Sequence, residues 1–218
     1  MVDLTSKNLL LTVKEFLVVW IDQILYFNKV YDLNIYDKFK SFNHIVYKNR
    51  NPNYNDYVDQ LITNIFRNIL INKGGLNKLI CLIYDQDRQI VFRKYIINFT
   101  GIITNINDTI TINMLETENE DSSSIISGLD WMEIFTQFSS LLFQHIQELK
   151  RLNIDNDNNL FFQILVEAGD NVSLTMENWV RIDKDVNKTE ISNPRKLVSI
   201  GDVSLQLFNF DVINEYYE

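Results

Sequence analysis

An α+β fold, three helices packed on a mostly antiparallel sheet, is what this 218-residue sequence predicts. Three observations carry the prediction. Apolar residues recur at helical spacing in three separated segments. Between and after these segments stand short runs rich in β-branched and aromatic residues. Only 6 Gly and 2 Pro are present, which leaves no flexible linker to divide the chain. A chain of this length can bury roughly 70% of its unfolded surface, and 46% hydrophobic residues supply the core. We read residues 1–218 as one domain.

The first helix runs from Ser6 to Asn28. Leu9, Leu10, Val13, Phe16, Leu17, Trp20, Ile21, Ile24 and Leu25 give it a wide apolar face. Only a narrow stripe, including Lys14, Asp22 and Gln23, is polar, so this helix belongs in the middle of the domain. Asn51 is an N-cap and Pro52 the first position of a second helix. Its stripe runs through Tyr54, Tyr57, Val58, Leu61, Ile62, Ile65, Ile69 and Leu70, and Gly74-Gly75 ends it.

Leu79–Tyr84 and Ile90–Phe99 are strands joined by a turn at Asp85-Gln86-Asp87-Arg88. The acidic stretch from Glu116 to Ser124 reads as an exposed loop. Asp130 caps the third helix, with Glu133 completing a capping box. The stripe of that helix is Trp131, Ile134, Phe135, Phe138, Leu141, Leu142, His145, Ile146 and Leu149, and Lys150-Arg151 suits its C-terminal dipole. The remainder is β in character. Leu160–Val166 is an apolar run, Val172, Leu174 and Met176 alternate with polar residues, and so do Val203, Leu205 and Leu207. A charged link lies between Asp183 and Asn193.

The charge and residue inventory narrow the function. A net charge of −9 opposes direct nucleic-acid binding, which needs Lys and Arg to displace condensed counterions. One basic cluster, Lys29, Lys38, Lys40, Lys48 and Arg50, is diluted by Asp32 and Asp37 and reads as a solvated loop. The single cysteine, Cys81, lies in an apolar run and reads as a buried small hydrophobe, consistent with a reducing compartment. The first apolar stretch is interrupted by Lys14, Glu15 and Asp22, so no membrane span is expected, and the polar N-terminus is unlike a secretory signal.

Only two histidines could serve His-dependent chemistry. His145 lies on an apolar helical face and reads as a packing residue, while His44 sits in an expected loop without a partner. No phosphate loop and no Cys/His metal spacing occurs. Asp155-Asn156-Asp157-Asn158-Asn159 lacks the Gly and the closing Glu of a calcium loop. No cofactor and no catalytic residue is expected. An enzyme site assembled in space from scattered carboxylates is the rival from another class.

One stretch is specific. It contains Ile24-Leu25-Tyr26, Val30-Tyr31, Ile35 through Asn43, Asn51-Pro52 and Asp56-Tyr57-Val58-Asp59-Gln60-Leu61. In order and spacing it resembles the HORMA-domain family, nearest the accessory subunits of translesion DNA polymerase zeta. The resemblance continues through Leu79–Phe99 and Trp131–Leu149, then at Asn178-Trp179-Val180, Asn193-Pro194-Arg195 and Leu205-Gln206-Leu207-Phe208.

The resemblance implies a HORMA fold with a core of about 1–166 and a C-terminal safety belt of about 167–218. The belt would close over a partner peptide laid as an added strand, held by main-chain hydrogen bonds and selected by side-chain pockets. Tyr57 and Trp179 match the family positions that pack on that peptide, a Pro-containing segment of the polymerase zeta catalytic subunit. On periodicity alone, Tyr57 reads equally as packing between the first two helices, and Trp179 as ordinary strand burial. Lys196, Gln206 and Phe208 fall where the C-terminal domain of a scaffolding Y-family polymerase docks in the family; Lys196 replaces an apolar residue common there. Gln137, Ser139 and Ser140 stand where relatives often place an arginine used in self-association, which leaves a homodimer open. The implied role is a non-catalytic, nuclear adaptor in DNA damage tolerance. The alternative is a spindle-checkpoint or meiotic HORMA adaptor with another peptide partner.

Overall fold

The computed structural model describes residues 6–71, 76–85, 90–102, 130–154, 159–168, 195–205 and 208–217. In chain order these form α1 (Ser6–Phe27), a 3-10 turn (Leu33–Ile35), β1 (Tyr36–Ser41), β2 (His44–Asn49), α2 (Pro52–Ile71), β3 (Leu76–Asp85), β4 (Ile90–Ile102), α3 (Trp131–Leu149), β5 (Leu160–Ala168), β6 (Lys196–Ser204) and β7 (Phe208–Tyr216). One sheet is the β1–β2 hairpin. The other has five strands in the order β5-β3-β4-β7-β6, and every pairing in it is antiparallel. The predicted α+β class and the three helices are present.

Strand alternation sends one face of the large sheet to the helices. Leu79, Cys81 and Ile83 of β3, Tyr95 and Ile97 of β4, and Phe210 and Val212 of β7 are all buried there. On the opposite face, Lys94 of β4 pairs with its register partner Glu215 of β7 at 3.3 Å. Helix α1 is the centre of the core, with Leu9, Val13, Phe16, Leu17, Trp20, Ile21, Ile24 and Leu25 fully buried. Phe16 shows why. Its ring meets Phe42 of the hairpin turn at 6.0 Å, Phe138 of α3 at 5.1 Å and Phe210 of β7 at 5.8 Å, so a single side chain joins four elements.

The polar residues of α1 dock the helix. Gln23 is buried; its amide donates to the Tyr47 carbonyl at 2.9 Å and accepts from the Tyr47 N–H at 3.0 Å. Lys14 pairs with Asp59 of α2 at 2.8 Å, and the Tyr54 hydroxyl of α2 donates to buried Asp22 at 2.8 Å. The helix ends in a Schellman motif: Val30 N–H bonds Leu25 O and Lys29 N–H bonds Tyr26 O, with Lys29 at φ 52° in the position glycine usually takes. Just inside that end, Asn28 donates to the Tyr95 hydroxyl and accepts from Arg93 Nη1, both at 2.8 Å, which ties α1 to β4.

Several local expectations hold. Asn51 Oδ1 accepts from Asn53 N–H at 3.0 Å, as an N-cap should. Asp130 Oδ1 accepts from Met132 N–H at 3.1 Å, with Glu133 in the same first turn. Cys81 is wholly buried, and desolvation pushes its thiol up, away from thiolate chemistry. His145 is wholly buried against Trp20 and Tyr95, and burial pushes its pKa down to about 3.

Two expectations are corrected. Of the basic cluster, Lys38, Lys40 and Lys48 lie not in a solvated loop but in the β1–β2 hairpin, with Arg50 directly after β2 and Lys29 in the turn that ends α1. Phe42 and Asn43 turn it at φ 47° and 62°, the sign a two-residue hairpin turn needs, without a glycine to announce it. His44 has a partner: its Nε2 lies 2.9 Å from the Ser139 carbonyl and 3.0 Å from the Ser139 hydroxyl, which itself donates to Phe42 O. Near the C-terminus, Val203 lies in β6 and Leu205 just beyond it, both buried, and the chain then returns as β7. The links at Gly74-Gly75 and 116–124, the alternation at Val172–Met176 and the link at 183–193 lie outside the described residues.

Candidate functional site

Strand order sets the site. Strands β5 and β6 are the two edges of the large sheet. Among the described residues β5 has a neighbour on one side only, so its outer row of backbone N–H and C=O groups is open to another chain. Its sequence, LFFQILVEA, holds no Pro, Gly, Lys or Arg. Its ladder with β3 is unbroken from Leu160 opposite Asp85 to Glu167 opposite Lys78.

Phe162, Ile164 and Val166 point to the helix side, opposite Ile83, Cys81 and Leu79. Those three β3 residues are fully buried, whereas the three on β5 are half-buried, because nothing among the described residues covers their outer flank. On the other face Phe161 is 36% exposed and lies 6.2 Å from Tyr84, while Glu167 pairs with Lys78 at 3.0 Å.

An aromatic flank stands beside this edge. The ring of Tyr31 meets Phe162 at 6.2 Å and Tyr54 at 5.9 Å, both edge-on. Tyr57 follows Tyr54 by three residues on α2 and is 49% exposed. Partial burial pushes its phenol up, with smaller contributions from Cys81 and Tyr31. Helix α2 is held by the Asp22–Tyr54 and Lys14–Asp59 contacts, so the flank is fixed before any partner arrives. An open strand edge with half-buried apolar side chains and fixed rings can accept an extended peptide by strand addition. Among the described residues no three His, Cys, Asp or Glu converge on a metal site, and no helix is long and apolar enough to cross a membrane.

The other edge is guarded. Strand β6 carries a bulge between Ser199 and Gly201. Gly201 sits at φ 153°, and a Cβ there would come within 3.2 Å of Leu141 Cδ1 on α3. Gln137 of α3 accepts from Ser204 N–H at 2.9 Å. Lys196 donates to Glu148 of α3 at 2.9 Å and lies over the Tyr216 ring at 5.2 Å. Burial would raise the Glu148 carboxyl, but Lys196 and Arg151 outweigh it and hold it below the usual carboxylate range.

Of the residues expected from sequence, Tyr57 is exposed on α2, one turn beyond Tyr54. Lys196 opens β6, bound to Glu148 yet with a side chain 61% exposed. Phe208 opens β7 opposite Ile102. Trp179 and Gln206 lie outside the described residues. Tyr31, Phe161 and Phe162 were missed as site residues. The Phe161-Phe162 pair was visible as apolar sequence, but its place at an edge depends on strand order, which no local pattern carries.

No family model matches the chain, and no curated protein matches it by sequence. Solved structures do match. A chain of the mitotic checkpoint complex superposes with a TM-score of 0.71 at 14% identity, covering 98% of this chain and 99% of that one. C. elegans HTP-2 bound to the HIM-3 closure motif gives 0.64 at 9% identity, over 94% and 88% of the two chains. C. elegans HTP-1 bound to the same motif gives 0.61 at 11%, over 96% and 89%. With its helices on one side of an antiparallel sheet and a C-terminal strand pair completing it, this chain has the HORMA fold.

Proposed function

We propose that this protein is a non-catalytic adaptor that captures an extended peptide of a partner as an added strand on β5. The observation that carries the proposal is the edge of β5, open among the described residues and free of Lys, Arg and Pro, with Phe162 against Tyr31, Tyr31 against Tyr54 and Tyr57 exposed one turn further along α2. Structural neighbours solved with bound closure motifs support it by analogy of fold. In the finer reading the adaptor is the accessory subunit of translesion DNA polymerase zeta. It takes a Pro-containing peptide of the catalytic subunit through Tyr57 and Trp179. It bridges to the C-terminal domain of a scaffolding Y-family polymerase through Lys196, Gln206 and Phe208, and acts in the nucleus. The sequence block from Ile24 to Leu61 supports this finer reading. A spindle-checkpoint or meiotic adaptor is the second reading, favoured by the checkpoint and closure-motif neighbours. Tethering raises local concentration without new chemistry in either case.

The test is calorimetry of the full chain against a Pro-containing polymerase peptide and against a closure-motif peptide. Tyr57→Ala and a peptide N-methylated along its backbone serve as controls. Tight binding of the first peptide, lost with either control, supports the finer reading. Preference for the second peptide moves the assignment to the alternative. Indifference to backbone methylation removes strand addition altogether.

A further inference from the structure

The basic hairpin carries a use that peptide capture on β5 leaves unexplained. Lys38, Lys40, Lys48 and Arg50 face a single acid, Asp37, within fifteen residues of a chain whose net charge is −9. Positive charge is therefore gathered on one small element of an acidic molecule. Strand β1 is exposed from Asp37 through Lys40, on both of its faces. The outer side of β2 is engaged by the Gln23 amide at Tyr47, and β1 pairs with β2 on its inner side. Among the described residues the outer edge of β1 is open.

Two large apolar side chains accompany the charges. Phe39 is 59% exposed with the Lys48 ammonium 5.6 Å from its ring centre, and Ile45, opposite Lys40, is 66% exposed. Lysines on an open edge repel neutral and basic strands. They admit an acidic strand, whose carboxylates fall opposite Lys38 and Lys40 as cross-strand pairs. A nucleic acid would meet the same lysines, but the acidic remainder of the chain repels a long polyanion more than a short one.

We propose that the β1–β2 hairpin is a second docking surface, for a short acidic segment of a partner protein that also carries a large apolar residue. The carboxylates pair with Lys38 and Lys40 on one face, and the apolar residue, pointing to the other face, covers Phe39. This surface is separate from the β5 edge and does not depend on what binds there.

The experiment is fluorescence anisotropy of the full chain with a labelled short peptide alternating Glu and Phe. A peptide alternating Glu and Ser and a single-stranded oligonucleotide are run beside it. The expected result is salt-sensitive binding of the Glu/Phe peptide, about tenfold weaker to Lys38→Glu/Lys40→Glu and several-fold weaker to Phe39→Ala. Lys48 is left intact because its charge acts on Asp22. Unchanged melting temperatures verify the fold of the variants, and the wild-type salt titration stands without them. Binding to the double variant as to wild type overturns the proposal. So does equal binding of the Glu/Ser peptide, tighter binding of the oligonucleotide, or no binding of the Glu/Phe peptide.

Discussion

The two edges of the large sheet solve the same physical problem in opposite ways. Each ends the sheet with a row of unpaired backbone groups, a template for any passing strand. On β6 the row is broken by a bulge, one N–H is taken by Gln137, and Lys196 is drawn to Glu148. Among the described residues β5 pairs regularly from Leu160 to Glu167, with one irregularity at the Leu76–Lys78 end of β3, and most of its residues are apolar, with aromatic rings alongside. A guarded edge beside an unguarded one on the same sheet shows that the guarding is selective. The open edge is the one on which we propose that the partner peptide is captured.

The largest expected effect concerns the flank that frames β5. Helix α2 hangs on the bond from Tyr54 to Asp22, whose pKa burial raises to about 7. Below about pH 4 folded and unfolded chains both hold this proton. Between about pH 4 and 7 the folded chain keeps a proton that the unfolded chain has lost, so stability falls by about 1.4 kcal/mol per pH unit. Above about pH 7 the loss is complete. His145 runs the other way. With its folded pKa near 3, stability falls as pH drops below about 6.5. The two slopes cancel between about pH 4 and 6.5. Asp22→Asn, which keeps an acceptor for Tyr54, should add about 4 kcal/mol at pH 7 and expose the His145 slope. Urea denaturation across pH checks both; a wild-type slope in the variant would refute the assignment to Asp22.

A second effect converts the open edge into a guarded one. Ile164→Lys places a charge where an incoming strand must desolvate it. It should weaken peptide capture about a hundredfold, or about 2.7 kcal/mol, by calorimetry. Equal affinity would mean the peptide binds elsewhere.

The guarded edge can be opened in turn. Glu148→Ala strands Lys196 and should cost about 1–2 kcal/mol, discounted because the Lys196 side chain is mostly exposed. Faster hydrogen exchange confined to β6 is the sign to seek. The smallest effect is Gln137→Ala, which frees only the Ser204 N–H. It should cost about 0.5–1 kcal/mol, and exchange should quicken at that amide without change in peptide affinity.

Much of this architecture was legible in the sequence because it is local. The period of α1, the Asn51-Pro52 start of α2, the Asp130 cap and the apolar runs of β3, β4 and β5 are each written within a few residues. The β1–β2 hairpin was not legible. Its outer strand is polar, and its turn uses Phe42 and Asn43, held from outside by Ser139. The site was half legible. Tyr57 entered through the family resemblance, but Tyr31 and Phe162 meet only after the sheet assembles. The polar stripe of Lys14, Asp22 and Gln23 was legible too. What they reach across to was not, since the partners lie more than twenty residues away.

The clasp of Gln23 on Tyr47 makes a side-chain amide stand in for a missing strand. The hairpin is thereby wired to the most deeply packed helix of the molecule. The Tyr47 amide proton should exchange as slowly as those in the middle of α1, while the exposed strand β1 next to it exchanges fast. One amide on the surface can thus serve as a gauge of whether the interior is intact.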